Sequence, residues 1–77
     1  MTMQEKAKKI VADYMKCEAE DIYVVWFCKT LQNWKAILST DIVKGYLFEV
    51  TYNGDKNEAY LDAYTKEKNV VVREGLA

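Results

Sequence analysis

Glu49 and Asp62 are the residues whose types could do acid–base chemistry: two carboxylates on neighbouring strands, with Tyr60 and Tyr64 flanking Asp62 at a spacing of two. A carboxylate pair works as general acid and base when a water-poor site drives the two pKa values apart. A chain of 77 residues has little depth from which to exclude water. Solvated charges on an open sheet face are therefore the simpler reading, and no catalytic residue is assigned. Cys17 and Cys28 stand eleven positions apart, in neither a CxxC pair nor a zinc-ligand pattern, and the chain has no histidine. They read as reduced, partly buried thiols. The stretch "YNGDKNE" lacks the length and the terminal bidentate glutamate of a calcium loop, and reads as a hairpin turn. The three glycines form no phosphate-cradling loop. No metal and no cofactor is expected.

Those carboxylates need elements to hold them, and the chain supplies a clear change of pattern. Met3, Ala7, Ile10, Val11, Tyr14 and Met15 recur at helical spacing, with Lys6, Lys9, Asp13 and Lys16 on the other side. Thr2 followed three residues later by Glu5 has the form of a capping box. The spacing predicts a helix from about Met3 to about Cys17, with "CEAEDI" as the connection. The run "EKAKK" reads as a solvated helix face, the alternative being a basic contact stripe.

From Ile22 onward β-branched and aromatic residues dominate, broken by turn signals at "TLQN", "DIVKG", "NGDKN" and "KEKN". Strands are predicted near 22–29, 34–40, 46–52, 58–65 and 69–73. Spacers this short join antiparallel neighbours. The expected fold is α+β: one N-terminal helix packed on an antiparallel meander of four to five strands, a single domain over residues 1–77.

Alternation along each strand divides the residues between two faces. Tyr46, Phe48, Val50 and Tyr52 should face the helix, with Ala59, Leu61 and Ala63 beside them leaving room for it to sit close. Parity across "TLQN" adds Trp34, Ala36 and Leu38, with Tyr23, Val25 and Phe27. The second face collects Val24, Trp26, Cys28, Lys35, Ile37, Leu47, Glu49, Thr51, Tyr60, Asp62 and Tyr64. A bulge at "TLQN" would exchange Trp26 with Trp34. One helix covers one side of a sheet. Trp26, Tyr60 and Tyr64 with Val24, Ile37 and Leu47 then form an apolar patch on the face of Glu49 and Asp62, of the size that marks a binding surface unless loops or the tail "REGLA" cover it. The partner-binding candidates are Trp26, Ile37, Leu47, Glu49, Tyr60, Asp62 and Tyr64.

Charge narrows the partners. Eleven basic and twelve acidic residues leave a net charge of −1, which argues against nucleic-acid binding. Charged residues interrupt every apolar run of the N-terminus, so neither a secretory signal nor a membrane span is expected, and the protein is read as cytosolic.

The stretches "WFCKTLQNWKAILSTDI" and "YLFEVTYNGDKNEAYLDAYTKEKNVVV" resemble an uncharacterised family of proteins of roughly 80 residues from Firmicutes and their phages. The resemblance implies a small phage-type accessory protein that acts by binding another protein, for example as an inhibitor of a host defence system such as a CRISPR nuclease. The alternative is a self-associating structural module, a homodimer with no separate target. A small hydrolase-like enzyme ranks behind both.

Overall fold

Thr2 and Glu5 start the helix as their spacing predicts. The Glu5 amide donates to Thr2 Oγ1 and the Thr2 amide to Glu5 Oε1, each at 3.1 Å, so two of the otherwise unpaired N-terminal donors are satisfied. In this computed structural model, which describes residues 1–65, helix α1 spans Met3–Met15. Lys16 then turns left-handed at φ 61°, and the Cys17 amide reaches back 3.0 Å to the Ala12 carbonyl. Helices commonly end in this way with a glycine. A lysine in that position explains why the apolar period, which runs on through Cys17, overestimates the helix by about a turn's half. The "CEAEDI" connection holds a 3-10 turn, Ala19–Asp21, in which the Glu18 amide donates to Asp21 Oδ2 at 3.2 Å.

Four strands follow: β1 (Ile22–Thr30), β2 (Asn33–Thr40), β3 (Tyr46–Asn53) and β4 (Glu58–Thr65). They pair antiparallel in the order β1-β2-β3-β4, the expected meander. The fifth strand expected at 69–73, with the "KEKN" turn and the "REGLA" tail, lies outside the described residues.

Two hairpin loops hold this register. Thr30 pairs with Asn33 around Leu31 and Gln32, and Asn53 pairs with Glu58 around a four-residue loop. The loops touch. The Gly54 amide donates to Asn33 Oδ1 at 2.9 Å, and the Gln32 side-chain amide donates to Asp55 Oδ1. A Cβ on Gly54 would collide with the Gln32 carbonyl oxygen. Glycine is needed here for close approach of two loops.

The helix-side core consists of Ala7, Val11 and Ala12 of α1 against Ile22, Trp34, Ala36, Leu38, Phe48 and Val50. Phe27, Trp34 and Tyr52 form an aromatic row, with ring centroids 5.9 and 5.4 Å apart and the second pair nearly parallel. The Lys6 ammonium lies 4.7 Å from the Tyr52 ring centre, closing the row from the helix. Thr40 is the buried polar member of this layer. Its hydroxyl donates to the Asp21 carbonyl at 2.7 Å and accepts from the Ile42 amide at 3.2 Å, so burial leaves it satisfied.

The face assignment of β1 differs from strict alternation. Val24 pairs with Leu38 and Trp26 with Ile37, so Val25 is an extra residue bulged out of the ladder. The bulge precedes Trp26 instead of falling at "TLQN". Ile22 and Val24 therefore turn to the helix, Tyr23 turns to the second face, and Val25 is exposed. Trp26 and Phe27 keep their expected sides. The helix also lies chiefly over β1, β2 and β3, and Ala59 and Ala63 remain exposed instead of making room for close contact.

Candidate interaction surface

Register brings all seven sequence-predicted candidates to one face. Across the sheet, Cys28, Lys35, Thr51 and Tyr60 form one row, and Trp26, Ile37, Glu49 and Asp62 the next. Leu47 and Tyr64 pair in the row beyond. Trp26 is 50% exposed, Tyr60 48% and Tyr64 51%, and Leu47 is also exposed. Ile37 and Glu49 are half-buried between them. Aromatic rings left half in water carry a large unrealised burial energy, about 25 cal/mol for each Å² later covered.

The bulge adds Tyr23 and removes Val24. Tyr23 pairs with Ser39 on the same face as Trp26, which extends the aromatic border along β1. Its placement escapes sequence reasoning because "IYVVWF" is apolar throughout and carries no alternation from which to count. Cys28 stands exposed here instead of partly buried. Cys17 is half-buried at the end of α1, where burial and the nearby Asp21 and Glu18 carboxylates push its thiol up and so hold it in the unreactive form.

Charge on the face is uneven. Glu49 and Asp62 are direct cross-strand neighbours, an arrangement that repels like charges. Lys35 answers one of them, with its ammonium 3.8 Å from Glu49 Oε2. Glu58 stands at the end of the same β4 face and accepts a 2.5 Å hydrogen bond from the Tyr60 hydroxyl. Among the described residues Lys35 is the one cation on this side of the sheet.

The phenols register this field. The Tyr60 hydroxyl is held above its ordinary pKa first by its hydrogen bond to Glu58 and then by that carboxylate's charge. Tyr64 is raised by the charges of Glu49 and Asp62. Both phenols stay neutral donors and present apolar ring faces at neutral pH.

The helix face outside this sheet is less open to partners than its lysine count suggests. Lys9 is engaged with Asp13 at 3.2 Å, one helical turn on, and Lys6 covers Tyr52. Among the described residues no helix is long and apolar enough to cross a membrane.

No curated protein and no solved structure matches this chain significantly. A family model does match, over residues 3–74, and the chain belongs to that family, described as a family of unknown function (DUF6275).

Proposed function

We propose that this protein works by protein–protein recognition through the second face of its sheet. The observation that carries the reading is the half-exposure of Trp26, Tyr60 and Tyr64 around Ile37, Leu47 and Glu49, opposite a face on which aromatic rings are stacked and covered. Aromatic residues are enriched where protein interfaces form, because their rings bring much area at low entropic cost. The carboxylates at its centre support docking over catalysis, since an open sheet gives them no water-poor enclosure.

The finer reading is a phage-type accessory protein of the bacterial cytoplasm that inhibits a host defence complex, such as a CRISPR nuclease. Its support is the family resemblance of the two quoted stretches, combined with a surface suited to binding. An affinity-tagged full chain in bacterial host lysate, compared with Trp26→Asp and Tyr60→Asp variants, tests the face. Recovered proteins should be lost from variants whose circular dichroism stays native. Recovery of the same proteins by the folded variants would show that another surface does the binding.

A further inference from the structure

The half-exposed rings of the second face leave open which chemistry the partner presents, and charge decides it. A second copy packed on the open face would bring Glu49 and Asp62 of both copies together against two Lys35 side chains, Lys35 being the one cation on this side among the described residues. A dyad across the strands would set Glu49 over Glu49 and Asp62 over Asp62. A dyad along them would set Ile37 and Trp26 over those carboxylates. Either packing desolvates charge with too few cations among the described residues to answer it, which is costly.

A partner that carries positive charge avoids burying these carboxylates against like charge. We infer that the face receives a basic protein segment, with an arginine or lysine side chain set over Glu49 and Asp62 between Tyr60 and Tyr64 and apolar side chains against Trp26, Ile37 and Leu47. The inference rests on the recognition reading above and specifies its partner. A guanidinium suits the place in two ways: its fork can donate to both carboxylates, and its plane stacks on phenol rings. Asp62 lies two residues from each tyrosine on one side of β4, so cation and rings meet at one spot. A cation there would also relieve the repulsion between Glu49 and Asp62, leaving Lys35 free to retain its contact with Glu49.

The test is an amide-resolved NMR titration of the full ¹⁵N-labelled chain with three capped hexapeptides, alternating valine with arginine, with glutamate or with serine. The arginine peptide should shift amides of Trp26, Ile37, Glu49 and Asp62, bind at least tenfold more tightly than the other two, and weaken as salt rises. The Glu49→Gln/Asp62→Asn double variant, which keeps the shapes, should lose that tenfold preference. Equal binding of all three peptides on this face would overturn the cationic partner while leaving the recognition face standing. Concentration-dependent shifts on the face without peptide would do the same and name a second copy as occupant. Shifts absent from the face at millimolar peptide, or confined to the helix side, would overturn both.

Discussion

The two tryptophans sit eight residues apart in the chain and on opposite sides of one sheet. Trp34 is 4% exposed, stacked on Tyr52 and flanked by Phe27, whereas Trp26 is 50% exposed next to Ile37 on the other face. Residue type is therefore no guide to role in this fold. The covered face converts aromatic area into stability. The other holds similar rings in water, mixed with charge, in a form that costs little in the free chain and yields energy only when something covers it.

Phe48 and Leu47 give the sharpest version of this contrast, being consecutive on β3 and pointing to opposite faces. Phe48 is fully buried against Tyr14 and Tyr46, with ring centroids 6.2 and 6.0 Å away. Phe48→Ala should lower the unfolding free energy by about 3–5 kcal/mol, most of what a domain of this size possesses. Leu47→Ala, on the open face, should cost no more than about 1 kcal/mol. Urea unfolding of both variants measures the difference, and equal losses would mean that the second face is also core.

Gly54→Ala probes what the faces share. The added methyl group meets the Gln32 carbonyl and forces apart the two loops that hold both hairpins in register. A loss of about 1–3 kcal/mol is expected from such overpacking. Amide shifts should change on both faces together. Shifts confined to one face would show that the faces do not depend on a common register.

A smaller effect comes from pH. Tyr60 and Tyr64 keep their protons to higher pH in the folded chain than in the unfolded one. Their contribution to stability is therefore fully present below the unfolded value of about 10 and is lost as pH rises through the folded values. Ultraviolet titration should show both phenols ionising late. Glu58→Gln should bring Tyr60 down, and Glu49→Gln should bring Tyr64 down. Unchanged titration in either variant would remove the carboxylate field from the description of this face.

Much of the fold was readable before the structure, for identifiable reasons. The capping pair Thr2 and Glu5 and the helical stripe behind them announce α1. The alternation in "YLFEVTY" assigns β3, and the even-numbered loop after it carries the assignment to Leu61, Asp62 and Tyr64. What stayed hidden depends on tertiary context. The bulge at Val25 lies in a wholly apolar run, where no polar residue marks the slip, so strict alternation puts Tyr23 and Val24 on the wrong sides and hides the exposure of Val25. The left-handed Lys16 and Leu31 occupy backbone positions that glycine or asparagine would have advertised. The need for Gly54 arises from a loop twenty-two residues earlier in sequence. All seven candidate residues nevertheless share a face, because the six that lie on β2, β3 and β4 are downstream of the bulge, and Trp26 is the first residue after it.

Acrylamide quenching of the full chain at low micromolar concentration, with Trp26→Phe and Trp34→Phe used to isolate each indole, reads the difference between the faces most directly. Trp26 should be quenched several-fold more efficiently than Trp34, with emission further to the red, and should become shielded when the arginine peptide binds. Equal protection of both indoles in the free monomer would contradict an open recognition face.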